Sequence, residues 1–139
     1  MFVDSQVDMS FYEALFNNNN FLKALGRLMM SSTKLETNMK RYLNTNDKVK
    51  YSKKLVLGRL LGLLRQNNMI DKTSEYEIGF LINQRNYFTH NLHAYLSELP
   101  NDEYRLRQFI SRAGGISDEM EIFSNRFLEA ISKSNYECH

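Results

Sequence analysis

The chain has 139 residues, of which 42% are hydrophobic and 24% are charged, and its formal net charge is +2. This length is typical of one domain with its own core, so we expect a single domain over 1–139, and the apolar content excludes a disordered chain. One cysteine, Cys138, excludes an intrachain disulfide bond and a cysteine-based zinc site. The first residues lack the basic and apolar segments of a signal peptide, and no apolar run is long enough for a membrane span. We therefore expect a cytoplasmic protein.

Apolar residues recur at spacings of three and four along most of the chain, which is typical of amphipathic helices. A short helix is predicted over about 10–16, with Ser10 as its N-cap, and the asparagines at 17–20 are expected to end it or kink it. Four longer helices are predicted over about 21–43, 48–66, 73–96 and 102–134. Gly114 and Gly115 suggest a kink or a break in the last of them. The predicted fold class is all-α: an up-and-down bundle of four main helices with a short extra N-terminal helix.

Two details of the middle helices are also predicted. Gly58 and Gly62 lie four residues apart, a spacing that suggests close approach of a neighbouring helix. Thr73 or Ser74 is expected to cap the helix that follows.

The positive charge is concentrated in one segment. Residues 40–72 contain nine Lys or Arg and two Asp, a net charge of +7, whereas the remainder of the chain is mildly acidic. This asymmetry is typical of a nucleic-acid contact surface, and it is equally compatible with a solvated face that has acidic neighbours from other helices.

The most informative segment is 78–96, in the second half of the fourth predicted helix. At 100° per residue, the apolar residues within about 60° of Arg85 are Ile78, Leu81, Ile82, Phe88, Leu92 and Leu96. Arg85 therefore lies in the middle of the apolar stripe, and a second row with Asn86, His90 and His93 flanks that stripe. Because burial of an isolated charge is unfavourable, Arg85 requires a partner or a cleft.

The order Arg85-Asn86-x-x-Thr89-His90 is an R-x4-H motif late in a helix, and it resembles the signature of the HEPN superfamily, the higher-eukaryote and prokaryote nucleotide-binding domains. The resemblance implies a small helical bundle, commonly dimeric, and in many members a metal-independent endoribonuclease of toxin–antitoxin, CRISPR-associated or phage-defence systems. One HEPN branch, the partner of minimal nucleotidyltransferases, carries a tyrosine two positions after the histidine. Leu92 occupies that position here, which weighs against this branch and against modification at such a tyrosine.

Arg85 and His90 are the candidate catalytic residues. Cleavage of RNA without metal requires a base for the 2′-OH, a cation for the developing phosphorane and help for the departing 5′-oxygen. Histidine suits the first or third of these roles because its pKa lies near neutrality. Arginine suits the second because its planar fork of donors matches phosphate oxygens and stays charged.

Four neighbours are candidate supporting residues. Asn86 lies four residues before His90, where it is placed either to orient the imidazole or bind phosphate, or simply to face solvent. Thr89 is expected to bond a carbonyl one turn back. His93 is placed to extend the site, and Tyr87 is expected to pack or to line a groove. His90 and His93 could also bind zinc, but a third ligand is missing nearby, so we expect no metal and no cofactor.

The spacing of the motif predicts a dimer. Five residues place Arg85 and His90 about 140° apart on a helix, so the two side chains do not stand side by side in one protomer. A two-fold dimer packed along this helix would let the histidine of each protomer face the arginine of the other, with the apolar stripe as part of the seam. This agrees with the composite site that the HEPN resemblance implies.

Three interpretations remain open at this point. The first is an RNA-cleaving toxin or defence nuclease that acts as a homodimer, or as a heterodimer with a relative, and has RNA and an antitoxin as partners. The second is a non-catalytic HEPN-type module that binds RNA or nucleotide, or that dimerises with a partner enzyme such as a nucleotidyltransferase. The third is a helical scaffold in which Arg85 forms a buried salt bridge with Glu36 or Glu121.

Overall fold

The computed structural model describes residues 9–50, 54–90 and 103–137. Within these ranges the chain forms helices and no strand, which confirms the all-α fold class. The helices are α1 (Met9–Phe16), α2 (Asn19–Leu43), α3 (Leu57–Gln66), α4 (Lys72–His90) and α5 (Glu103–Glu137). None of these described helices combines the length and the apolar content needed to cross a membrane.

The polar segment 17–20 separates α1 from α2, as predicted. Asn18 is the N-cap of α2, because its side-chain oxygen accepts a hydrogen bond of 3.0 Å from the backbone N–H of Phe21. This bond satisfies one of the amides that the first turn of a helix leaves without a partner. Ser10 lies inside α1 and is therefore not its N-cap.

The helix α4 is capped by Asp71 and not by Thr73 or Ser74. The Asp71 carboxylate accepts hydrogen bonds from the backbone N–H of Ser74 at 2.7 Å and from the Ser74 hydroxyl at 3.0 Å. The backbone N–H of Ser74 and then its hydroxyl hold the pKa of the Asp71 carboxyl below its ordinary value. An ionised carboxylate at a helix N-terminus is also favoured by the helix dipole.

The helix α3 is shorter than predicted, since it begins at Leu57 and not near Lys48. Residues 44–48 form turns, in which the Asn46 side chain accepts a hydrogen bond of 3.0 Å from the backbone N–H of Lys48. A helix through this segment would place Lys50 one turn before Lys54, and like charges at that spacing are unfavourable. The apolar pattern is strong only from Leu57 onwards, where the helix begins.

The helix α5 is continuous through Gly114 and Gly115, where a kink or a break was expected. The residues on either side, Ala113, Ile116 and Ser117, are buried against the rest of the bundle. This packing stabilises the helix by more than two glycines destabilise it, at about 1 kcal/mol each.

The helix directions do not simply alternate. Phe21 contacts Phe109 (ring centroids 5.4 Å apart) and Tyr42 contacts Phe127 (also 5.4 Å), so α2 and α5 run in the same direction. The C-terminal ends of α2 and α3 also lie together, because the Asn46 amide is 3.9 Å from the sulfur of Met69. The described residues of the connection, 44–50 and 54–56, are non-helical, and a connection of this length allows the arrangement, since a tight loop would have reversed the chain.

The core lies between these helices. The helix α2 packs extensively along α5, α3 packs against α2 and α4, and α4 packs against α5. The twelve largest fully buried side chains of the core, among the described residues, are Leu28, Leu35, Met39, Leu43, Leu57, Leu60, Leu64, Ile78, Leu81, Phe88, Phe109 and Met120. Four of the five helices contribute, and the last half of α4 is held by this core.

Gly58 and Gly62 do not mark a close helix contact. A methyl group added at either position would meet no atom within 4 Å. Both glycines instead border an open groove between α3 and α4.

Candidate functional site

The apolar stripe of α4 faces its own bundle. Ile78, Leu81, Ile82 and Phe88 are each at most 5% exposed, and the Phe88 ring packs edge-on against Phe109 with centroids 5.1 Å apart. The predicted stripe is therefore confirmed for these residues, whereas Leu92 and Leu96 lie outside the described residues. The expectation that this stripe forms part of a dimer seam is wrong for its described part, because its apolar side chains are already buried in the bundle, where α3 and α5 pack against α4.

Arg85 is half-buried on this inward face. Its Nη2 donates a hydrogen bond of 2.6 Å to the side-chain oxygen of Asn86. Its Nε is buried and has no hydrogen-bond partner within the described ranges. No carboxylate of those ranges lies within 4 Å of the guanidinium.

The salt bridges proposed for a scaffold role of Arg85 are not formed. The Glu36 carboxylate is bound by Lys40 at 3.0 Å, and the Glu121 carboxylate lies 3.4 Å from Arg27. Both carboxylates therefore form ion pairs with other basic side chains, and neither forms a salt bridge with Arg85.

Asn86 and Thr89 both support the turn that carries Arg85. Asn86 contacts Arg85 and makes no described bond with His90, so it positions the guanidinium and not the imidazole. The Thr89 hydroxyl lies 3.1 Å from the carbonyl oxygens of both Arg85 and Asn86. The prediction that Thr89 bonds a carbonyl one turn back is confirmed.

His90 is exposed at the end of the described part of α4. Arg85 faces inward and His90 faces solvent, so one protomer does not bring the two candidate catalytic groups together. Tyr87 is half exposed, and its ring contacts Phe88 with centroids 6.2 Å apart. His93 lies outside the described residues, so the structure does not test the alternative in which His90 and His93 bind zinc.

Comparisons of this chain with protein-family models, with curated proteins and with solved structures found no match. The resemblance to HEPN domains therefore depends on the motif residues of α4 within a helical bundle. In the described part of the chain, no three His, Cys, Asp or Glu side chains are grouped in a way that would hold a metal ion.

The outward face of α4 contains a feature that the sequence analysis missed. Its solvent side carries Tyr76, Phe80, Asn83, Tyr87 and His90, which fall within about 80° of one another around the helix axis. We call these five residues the outer row. The three aromatic side chains are 76%, 53% and 51% exposed, in chain order. The five residues of the outer row follow one another at spacings of four, three, four and three, which was visible in the sequence. Only the fold shows that the described helices leave this face uncovered.

Proposed function

We propose that this protein is a metal-independent endoribonuclease of the HEPN type, with Arg85 and His90 as its catalytic residues. The observation that carries the proposal is the half-buried guanidinium of Arg85, which has no carboxylate partner among the described residues. A cation held in this way favours an anionic ligand, and the fork of an arginine suits the oxygens of a phosphate. The bond from Arg85 to Asn86 supports a fixed orientation of that fork.

The proposed reaction is an attack of the 2′-oxygen on the adjacent phosphorus. The bond between the 2′-oxygen and phosphorus forms while the bond from phosphorus to the 5′-oxygen breaks, which leaves a cyclic phosphate and a free 5′-OH. The His90 imidazole takes the proton of the 2′-OH and then gives it to the departing 5′-oxygen, and Arg85 stabilises the negative charge on the phosphorane. Neither step requires a metal ion.

The active species is a homodimer with composite sites. Because the inward stripe of α4 is covered within each protomer, we place the contact at the C-terminal end of α4, where His90 is exposed. Each histidine would then reach the Arg85 side of the partner subunit across a two-fold axis.

A cleavage assay in the presence of EDTA tests the catalytic roles. We expect wild-type protein to cut single-stranded RNA, and His90→Ala and Arg85→Met to lower the rate at least about 100-fold. Arg85→Met keeps an unbranched apolar stem while it removes the charge. The matched controls are His139→Ala and Arg112→Ala, which remove the same side-chain types outside the motif and should leave the rate unchanged. Circular dichroism confirms that each variant is folded.

Mixing of two inactive variants tests the shared site. In a heterodimer of Arg85→Met and His90→Ala protomers, one composite site regains both catalytic groups, so activity should return on mixing. If each protomer holds a complete site, the mixture stays inactive. RNA that is bound but left uncut by wild-type protein would contradict catalysis and support the non-catalytic HEPN module.

The biological role that follows is that of a toxin or phage-defence nuclease in the cytoplasm, controlled by an antitoxin or another partner. Induced expression of wild-type protein should then stop growth, whereas His90→Ala protein at the same level should not. Growth arrest by both proteins would contradict a role of RNA cleavage in toxicity.

A further inference from the structure

The helices α3 and α4 enclose a groove of about 530 Å³ beside the outer row. Gly58 and Gly62 of α3 border it, and their missing side chains leave the space open. Tyr76 and Phe80 of α4 line the opposite wall, one helical turn apart, so that their Cα atoms are separated by about 6 Å along the axis.

The groove presents large aromatic surfaces to solvent. Three-quarters of Tyr76 and half of Phe80 are exposed, although both rings belong to a helix whose opposite face packs its apolar side chains into the core. Exposed rings in one row are a favourable platform for planar ligands, because every nucleic-acid base has a π-face that stacks on an aromatic side chain.

The charges at the groove favour a polyanion. Arg65 and Lys72 line it and are exposed, and neither has a carboxylate within 4 Å among the described residues. Both belong to the segment 40–72, whose net charge is +7. The groove therefore combines stacking surfaces with two cations that are available for phosphate groups.

One carboxylate indicates how a ligand would be oriented. Glu75 also lines the groove, and its Oε2 is buried without a hydrogen-bond partner. A carboxylate oxygen needs a donor, which the N–H groups of a base supply and a phosphate does not. A base would therefore lie deep in the groove near Glu75, with its phosphate at the rim near Arg65 and Lys72.

We propose that this groove binds single-stranded RNA, with bases stacked on Tyr76 and Phe80 and the backbone held by Arg65 and Lys72. The strand then follows the outer row toward His90, which lies about 15 Å further along α4. This inference rests on the proposed function for the class of ligand and extends the site from the motif to the opposite end of the helix. A duplex does not fit this description, because its bases are stacked internally and its phosphates alone are accessible.

A second copy of the chain is a less favourable occupant of the groove. With a two-fold axis through the groove, Arg65 and Lys72 of one protomer would lie close to the same residues of the partner subunit. Like charges that face each other across an interface are repulsive.

Binding of a 2′-O-methyl RNA oligonucleotide to wild-type protein tests the groove without cleavage, because this RNA lacks the attacking hydroxyl. We expect the double variant Tyr76→Ala/Phe80→Ala to weaken binding by about 10- to 100-fold. The matched control is Phe16→Ala, which removes an exposed phenylalanine from α1 and should change affinity less than about twofold.

The role of the two cations is tested by salt dependence. Arg65→Ala and Lys72→Ala should each weaken binding and reduce the slope of log affinity against log salt concentration by about 1. Arg112→Ala on α5 is the control and should leave the slope unchanged. Because the chain has no tryptophan, tyrosine emission also reports stacking, and Tyr76→Phe should remove part of the quenching by RNA.

Three results would overturn the inference: unchanged RNA affinity in the folded Tyr76→Ala/Phe80→Ala variant, equal affinity for duplex RNA, or conversion of a wild-type dimer to a monomer by that variant. The last result would assign the outer row to a protein contact. Cleavage is measured separately, so the two proposals fail independently. RNA bound through the groove but left uncut contradicts only the nuclease, and cleavage by a wild-type protein whose groove variant keeps its RNA affinity contradicts only the groove.

Discussion

Two arginines of this chain differ in what surrounds their charge. The Arg27 guanidinium on α2 donates a hydrogen bond to Asp118 of α5 and lies 3.4 Å from Glu121, and the bond to Asp118 raises the pKa of the guanidinium. This cation is satisfied within the protein and serves to hold two helices together at the surface. Arg85 has the Asn86 amide as its described partner and no carboxylate within 4 Å among the described residues.

The Asp71 cap makes the stability of α4 dependent on pH. Its carboxyl has a lowered pKa in the folded protein, so its contribution is complete above the pKa of the unfolded chain and is lost as the pH falls through the folded value. Asp71→Ala should therefore lower the Tm at pH 7 by a few degrees, and the difference from wild type should shrink in strongly acidic solution. Differential scanning calorimetry at several pH values measures this.

Asp47→Ala is the control for Asp71, because it removes an exposed acid from a turn outside any helix N-terminus. Its Tm should match that of wild type at neutral pH. An Asp71→Ala difference that stays constant down to strongly acidic pH would show that the carboxylate charge is not what stabilises α4.

At the scale of the element, the helices follow from the apolar spacing of the sequence. The predicted and observed bounds of α2 agree within two residues, because its polar start and its polar end are both local signals. The error in α3 has a different origin. Leu55 was part of the apolar pattern that extended the predicted helix toward Lys48, although in the fold it packs on the core from irregular backbone.

The two glycines of α5 offer a test of helix continuity. In a regular helix, alanine is more stable than glycine by about 0.5–1 kcal/mol, because glycine loses more backbone entropy on folding. An added methyl group at Gly114 or Gly115 would meet no atom within 4 Å. Gly114→Ala and Gly115→Ala should therefore each raise the free energy of unfolding by about this amount in urea titrations.

The contradicting result for these glycines is a decrease in stability. It would show that the backbone at this point departs from a regular helix in solution, as the sequence analysis expected. Gly26→Ala in α2 provides the comparison, since its methyl group would also enter open space within a helix.

At the scale of the whole molecule, three aromatic rings join three helices. Phe109 of α5 contacts Phe21 of α2 and Phe88 of α4, and Phe88 lies between the two candidate catalytic positions in sequence. These contacts connect the motif to the long pair of α2 and α5. They also fix the inward direction of the stripe that carries Arg85.

Truncation of this cluster should destabilise the entire bundle. Phe109→Ala removes a buried ring and leaves a cavity, which should lower the free energy of unfolding by about 3–5 kcal/mol. This is a large part of the 5–15 kcal/mol that is typical of a domain. Urea denaturation followed by circular dichroism measures it.

Ile122→Ala is the matched control for Phe109→Ala, because Ile122 is a half-exposed apolar residue on the same helix. Its effect should stay below about 1 kcal/mol. Equal losses for the two variants would contradict the central position of Phe109 in the core.

The sequence by itself determined the helical class, most helix positions and the inward face of α4, because the period of apolar residues is a local property. It also placed Arg85 among buried residues and His90 on a different side of the same helix. Only the tertiary structure decided the directions of the helices, the length of α3, the partner of Arg85 and the open groove beside Tyr76 and Phe80. Those features depend on which distant residues meet, and the spacing of residues within one helix carries no information about that.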